Sequence, residues 1–175
     1  MTKKPPPRRG LIARWETVSG GDSSAGRQWS QPRSGTYGRP MDTNEGIDFV
    51  RHNNRAVLAT IRRDGSPQQS PVTVGLVDEA IVMSTRETAY KVRNLRRDPR
   101  AWLCVVTDGW YGQWVQLACT TEVVSLPDAM DGLVAYYRAL SGEHPDWDDY
   151  RRAMVEDQRC LVRFTVLAAG PDAAG

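Results

Sequence analysis

The residues best suited to bind a ligand lie at positions 84–99, where a short apolar run leads into a basic segment. Lys91 stands near the start of a helical pattern there, in which apolar residues recur at intervals of three positions. Free backbone amides in the first turn of a helix stabilise an anion, and a nearby ammonium group adds to the attraction. Four arginines increase the positive charge of the segment: Arg86, Arg93, Arg96 and Arg97. The segment therefore predicts a phosphate receptor, with an exposed basic helix that only adds solubility as the alternative.

Two residues are candidates for the start of this helix. Ser84 and Glu87 have the spacing of a capping box, which predicts a start at Ser84, and Thr88 is the second possible cap. Pro99 prevents the helix from continuing. Residues 80–83 are apolar and predict a short buried strand. We therefore expect a strand that runs directly into a capped helix, with the basic residues around the junction.

The composition is that of one globular domain with, at most, a tail. The chain has 175 residues, of which 40% are hydrophobic and 25% charged. No apolar run reaches the roughly 18 residues that span a membrane. The odd number of cysteines (Cys104, Cys119 and Cys160) argues against a disulfide framework, so we expect reduced thiols in a cytoplasmic protein. Two histidines and the lack of a CxxC motif argue against a zinc site.

Residues 1–40 differ from the rest of the chain in charge and in pattern. They carry eight basic and two acidic residues, so their net charge is +6, which leaves −4 for the remainder of a chain whose net charge is +2. Proline, glycine and serine are frequent and no apolar period is sustained, which predicts disorder. We take Met41 as the natural start of one domain at 41–175 and the tail as a non-native extension; a basic arm for nucleic acid or a membrane is the alternative. A mildly acidic body argues against nucleic-acid binding by the domain itself.

The pattern after residue 41 predicts six strands and four helices. The strands are expected over residues 56–61, 69–76, 80–83, 101–106, 114–124 and 160–167, with a frayed end after them. The helices are expected over residues 45–53, from 84 or 88 to 98, 128–140 and 145–157, the last with Asp146 as its cap. Because most strands are joined by hairpins, we expect a β-rich α+β fold, an antiparallel barrel with helices in its connections. No GxGxxG or P-loop motif is present, which leaves dinucleotide and nucleoside triphosphate binding by those motifs without support.

Several segments together resemble a known superfamily. They are VLATI at 57–61, DGSPQ at 64–68, the Ser84-Thr85 pair and KVRNLRRDPRA at 91–101. Their sequence and spacing resemble the pyridoxamine 5'-phosphate oxidase-like split-barrel superfamily of flavin and deazaflavin proteins. The segment GEHPDWDDY at 142–150 resembles its actinobacterial branch of coenzyme F420-dependent enzymes. The resemblance covers residues 45–167 and implies a six-stranded antiparallel split β-barrel with flanking helices, a homodimer with two cofactor sites across the subunit interface.

The same resemblance assigns residues to a cofactor site. Ser84 would donate its hydroxyl to the cofactor phosphate, Lys91 would supply charge and Asn94 would hydrogen-bond beside it. Where some relatives carry an arginine two positions before the lysine, this chain has Ala89, and Arg86 is the nearest substitute. The remaining expected contacts are Thr85 at the phosphate, Pro67 and Gln68 against the tricyclic ring, and Val72 and Thr73 through backbone groups at its edge.

The function implied is an F420-dependent oxidoreductase that transfers hydride between the reduced deazaflavin and a small conjugated organic acceptor. An FMN-dependent oxidase or reductase of the same fold and a non-catalytic F420-binding protein are the alternatives. No catalytic residue is assigned, since the cofactor carries the redox chemistry itself and the protein binds and orients it. Tyr111 is a weak candidate for a proton donor. Together with Trp110 and Trp114 it crowds one turn, which predicts packing at the dimer interface, with a wall of the cofactor pocket as the alternative.

Overall fold

The computed structural model describes residues 39–109 and 112–174. The predictions for the tail before Arg39 and for Trp110 and Tyr111 lie outside these residues. The helices are α1 (Thr43–His52), α2 (Tyr90–Arg97), α3 (Met130–Ser141) and α4 (Trp147–Glu156). The strands are β1 (Arg39–Met41), β2 (Arg55–Ile61), β3 (Pro67–Thr73), β4 (Gly75–Val77), β5 (Ala80–Arg86), β6 (Arg100–Val106), β7 (Gln113–Val124) and β8 (Arg159–Ala174). None of these helices is both long and apolar enough to cross a membrane.

The strands form one curled antiparallel sheet in the order β3-β2-β6-β7-β8-β5-β4, with β1 paired to β8. All six predicted strand segments are present, but the described residues form eight strands rather than six. The second predicted segment is divided at Val74, which lies between β3 and β4 and whose amide donates to the Asn54 carbonyl (2.8 Å) in register with the β2–β3 pairing, before the chain turns to pair with β5. Strand β1 was not predicted because three residues carry too short a pattern. The antiparallel β-rich α+β class is confirmed.

The interior is formed by the inward side chains of the curled sheet. In β2 the exposed and buried positions alternate, and Leu58 packs with Leu103 and Leu117 at the centre of the main core. Strand β5 does not alternate, because it is buried on both faces. Ile81 lies in the main core, whereas Val82 lies in a second cluster beneath α3 and α4. Its continuous apolar run therefore reflects two cores on opposite sides of one strand.

The junction between β5 and α2 differs from the prediction. Strand β5 continues through Arg86 because Ser84 pairs with Leu161 of β8. Helix α2 begins only at Tyr90, and its N-cap residue, Ala89, offers no side-chain hydrogen bond. The capping prediction for Ser84 is therefore wrong, and so is that for Thr88. Continued pairing in the sheet overrides the local capping pattern.

Two other predicted ends were tested by the structure. The cap at Asp146 is confirmed, since its carboxylate accepts from the amides of Asp148 (3.0 Å) and Asp149 (2.9 Å). The frayed end is not found, because β8 runs to Ala174. Its small residues still pair through the backbone, and Ala169 lies opposite both Leu117 of β7 and Met41 of β1.

Candidate functional site

A cavity of about 570 Å³ lies between β3 and β5, a size typical of small-molecule sites. It arises because β4 covers only the first half of β5, with Gly75 opposite Val82, so Ser84 and Thr85 have no strand partner on that side. The facing wall is the end of β3. The lining residues are Arg55, Ala56, Val57, Pro71, Val72, Thr73, Ser84, Thr85, Lys91, Val106 and Tyr136. No carboxylate is among them, which favours an anionic ligand.

Lys91 supplies a positive charge that no described residue neutralises. It is half-buried in the first turn of α2 and forms no ion pair within the described part of the chain. Nearby arginines do form ion pairs: Arg96 bonds to Glu87 (2.7 Å) and Arg86 to Asp157 (3.1 Å). The backbone amides in the first turn of α2, which no side chain caps, lie beside the lysine. The ammonium group and these amides together can bind a phosphate.

Two hydroxyl groups of β5 face the same cavity without partners among the described residues. Thr85 is only 8% exposed, and neither its hydroxyl nor that of Ser84 forms a hydrogen bond with another described residue. A hydroxyl group that forms no bond within the protein is available to donate to, or accept from, a bound ligand. The donors of Ser84, Thr85 and Lys91 therefore fit a phosphate-bearing cofactor.

Asn94 and Gln68 lie in a buried network outside the cavity lining. The Asn94 amide donates to the Thr60 hydroxyl (3.0 Å), which donates to the Gln68 side-chain carbonyl (3.0 Å). Thr60 is 1% exposed and Asn94 is 6% exposed. This chain of hydrogen bonds ties α2 to β2 and β3 and so fixes the helix that presents Lys91. Thr60 was missed by the sequence analysis, although a threonine at an inward strand position needs such a partner.

The predicted site residues therefore separate into two groups. The cavity brings five of them together: Val72, Thr73, Ser84, Thr85 and Lys91. The other four, Pro67, Gln68, Arg86 and Asn94, are not part of its lining. Pro67 is exposed at the start of β3, and Arg86 is directed to Asp157, whose pKa it lowers. Contact with a cofactor stays a prediction for all nine.

Six of the eleven lining residues were not identified from the sequence, and two of these six, Arg55 and Tyr136, have polar side chains. Arg55 begins β2 and pairs with Asp108 (3.0 Å). Tyr136 lies on α3 and donates its hydroxyl to the Thr73 carbonyl (2.9 Å). Burial raises the pKa of Tyr136, although the Ser84 backbone amide has the opposite effect. The available sequence signal for Tyr136 was a tyrosine on the otherwise apolar face of a predicted helix, since a hydroxyl that is buried on such a face needs a hydrogen-bond partner.

The side chains of the protein offer binding rather than catalytic groups. Within residues 39–109 and 112–174, no histidine lines the cavity and no three metal-ligating side chains form a cluster. The three cysteines are free, and burial raises the pKa of Cys119 to about 12 and that of Cys160 to about 11. Such thiols stay protonated at neutral pH and are poor nucleophiles. The arrangement can hold and orient an anionic ligand whose own chemistry supplies the reaction.

Comparison with solved structures shows the same fold in other proteins. A conserved hypothetical protein from Mycobacterium tuberculosis is 26% identical, with a TM-score of 0.61, over 74% of this chain and 82% of that one. An F420 reductase is 18% identical, with a TM-score of 0.55, over 71% of this chain and 95% of that one. The haem storage protein HutZ from Vibrio cholerae is 15% identical, with a TM-score of 0.59, over 75% and 95% of the two chains.

The family comparison covers most of the folded part. The model for pyridoxamine 5'-phosphate oxidase matches residues 43–169, from the start of α1 into β8. These residues include every lining residue of the cavity. The resemblance inferred from the sequence is thus confirmed, and the chain belongs to the pyridoxamine 5'-phosphate oxidase family.

Proposed function

We propose that this chain binds coenzyme F420 in the cavity between β3 and β5. We further propose that it is an oxidoreductase, with hydride transferred between the reduced cofactor and a small conjugated organic acceptor. The observation that carries the proposal is a cavity in which, among the described residues, Lys91 has no ion pair, two hydroxyls have no partner and no carboxylate lines the wall. An F420 reductase of the same fold and the family membership support it.

The chain's own residues would bind, orient and shield the cofactor. Lys91, Ser84 and Thr85 would hold its phosphate. Val57, Val72 and Val106 form an apolar part of the wall, which would help to exclude water from the ring of a bound cofactor. When bound, the deazaflavin supplies two-electron hydride chemistry, which no side chain here can provide. The Tyr136 hydroxyl donates to the Thr73 carbonyl, so it is not free to donate a proton to an acceptor.

FMN is the alternative cofactor. It also has a tricyclic ring with a phosphate-bearing side chain, so the hydroxyls of Ser84 and Thr85 and the ammonium group of Lys91 suit it as well. A non-catalytic F420-binding protein is the other alternative, since the donors described would serve storage as well as catalysis. We do not propose haem, because the described lining has no histidine, cysteine or methionine to ligate iron and its tyrosine bonds to the backbone.

A second copy of this chain is proposed to close the open side of the cavity. Val57 lines the cavity and is 37% exposed, and Pro71 opposite it on β3 is exposed as well. An apolar side chain at the mouth of a binding site is suited to burial by a partner subunit. The homodimer implied by the family resemblance would place such a subunit there.

The cofactor proposal is tested by fluorescence titration of the purified full-length chain with oxidised F420 and, separately, with FMN. We expect micromolar or tighter binding of F420 and weaker binding of FMN, and light scattering of the same sample should give the mass of a dimer. The opposite preference would assign the chain to FMN, and binding of neither would contradict the proposal. Tight F420 binding without oxidation of the reduced cofactor by any conjugated acceptor would instead indicate storage.

A further inference from the structure

Strands β3 and β5 approach each other without pairing. In the sheet order, β3 is one edge strand and β5 lies next to the other edge, and no ladder joins the two. The cavity occupies the space between them. Its width therefore depends on whatever connects the end of β3 to the second half of β5.

Tyr136 of α3 lies at this position. Its hydroxyl donates to the Thr73 carbonyl at the end of β3 (2.9 Å). Burial raises the pKa of the phenol, and the smaller effect of the Ser84 backbone amide of β5 lowers it. The phenol therefore stays protonated at neutral pH, as a donor to the carbonyl must. The hydroxyl thus binds the β3 wall, while Tyr136 itself packs against the second core, which contains Val82 of β5.

The tyrosine is held firmly by its own helix. A Cβ atom added at Gly75 would lie 3.4 Å from the Tyr136 ring, so the ring packs closely against the backbone of β4. Leu133 of α3 is fully buried in the second core and anchors the helix there. A side chain fixed in this way can hold β3 at a constant distance from β5.

We infer that Tyr136 is a positioning residue for the bound ligand: its hydroxyl ties the end of β3 to β5 and fixes the width of the cavity between Thr73 and Ser84. The effect on ligand binding rests on the proposed function, whereas the connection of β3 to β5 through Tyr136, called the tie below, does not. Loss of the hydroxyl frees the two walls to move apart. Ser84 and Thr85 then lose their alignment with groups on β3, although no donor to the phosphate has been removed.

The test compares Tyr136→Phe with two matched variants of the full chain. Tyr150→Phe removes a hydrogen bond of the same type, from a phenol to a backbone carbonyl, at a residue outside the cavity lining. Tyr137→Phe removes a hydroxyl from the same helix that forms no hydrogen bond within the described residues. Each variant keeps its aromatic ring, so packing is little changed.

The first measurement is amide hydrogen exchange without ligand. In Tyr136→Phe we expect exchange to accelerate about tenfold or more at Ser84 and at residues 72–74, with neither control showing this local change. Unchanged exchange at these amides would overturn the tie. Acceleration throughout the domain to the same extent in Tyr136→Phe and Tyr150→Phe would also overturn it, because it would indicate general destabilisation.

The second measurement is affinity for F420 and for FMN, alongside the melting temperature. We expect the Kd of the preferred cofactor to rise about tenfold in Tyr136→Phe, as for the loss of one hydrogen bond, and to be unchanged in Tyr150→Phe even where its Tm falls. Equal changes in Kd in the two variants would overturn the positioning role. No binding by the unmodified chain would contradict the proposed function, while the exchange measurement decides on the tie.

Discussion

Lys91 differs from the nearby Arg86, Arg96 and Arg100 in having no carboxylate partner among the described residues, and from Arg93 and Arg97 in lining the cavity. Arg86, Arg96 and Arg100 each have a carboxylate partner, so their charge is compensated within the protein. Exposed pairs of this kind add little stability, but they leave few uncompensated charges near the cavity. The half-buried ammonium of Lys91 is then the charge that a ligand phosphate meets first.

Replacing this lysine should weaken cofactor binding without affecting the fold. Lys91→Ala removes one charge-assisted hydrogen bond, so we expect a loss of about 1.5–3 kcal/mol in binding free energy. Arg93→Ala is the matched control, because Arg93 lies on the same helix but outside the cavity. Its guanidinium carbon lies 5.3 Å from the centre of the Tyr90 ring. Fluorescence titration measures both. Equal affinities for Lys91→Ala and the unmodified chain would show that the phosphate binds elsewhere.

At this scale the sequence predicts residue types better than it predicts their surroundings. Lys91, Ser84 and Thr85 were predicted near a phosphate, and the structure brings them to one cavity. Asn94 was predicted beside them but bonds to Thr60, because position 60 faces inward and needs a partner. Such a pairing joins residues far apart in the chain, and one sequence does not show which two will meet.

The junction of β5 and α2 shows how a whole element was displaced. The sequence contains a valid capping pattern at Ser84, yet β8 offers pairing as far as Arg159, opposite Arg86. The three extra residues of β5 place Ser84 and Thr85 on a strand wall rather than at a helix start. Local signals predicted both elements, whereas the boundary depended on the length of a strand some 75 residues away.

Helix α1 has to lie close to the sheet, and Gly46 permits this. A Cβ atom added at Gly46 would lie 2.8 Å from both the Ala169 Cβ atom and a Leu117 methyl group. Gly46→Ala should gain up to about 1 kcal/mol in helix propensity but lose about 1–3 kcal/mol through overpacking. We therefore expect a lower Tm by thermal unfolding.

Gly132→Ala in α3 is the comparison for this prediction. There the added atom would meet one methyl group of Leu161 at 2.6 Å, the flexible end of a side chain that can move aside. The expected loss of Tm is smaller than for Gly46→Ala. If Gly46→Ala raised the Tm, the close packing of α1 on β8 and β7 would be wrong.

For the whole molecule, the sheet order brings the two ends of the described chain together. Arg39 of β1 lies opposite Asp172 of β8, and Met41 packs against the main core. The predicted start of the domain at Met41 therefore falls inside a strand. The tail before it stays a prediction, and β1 itself was not predicted because three residues of strand have no period that a sequence pattern can reveal.

Two truncations locate the boundary of the folded unit. A chain beginning at Arg39 keeps all of β1, so we expect its Tm and F420 affinity to equal those of the full chain. A chain beginning at Asp42 loses the β1 ladder and the half-buried Met41 side chain, which should cost about 1–2 kcal/mol of unfolding free energy because only part of a methionine is buried. Thermal unfolding and fluorescence titration of both chains make the comparison. Aggregation of the chain from Arg39 would show that earlier residues belong to the domain, whereas equal Tm values for the two truncations would show that β1 adds nothing to its stability.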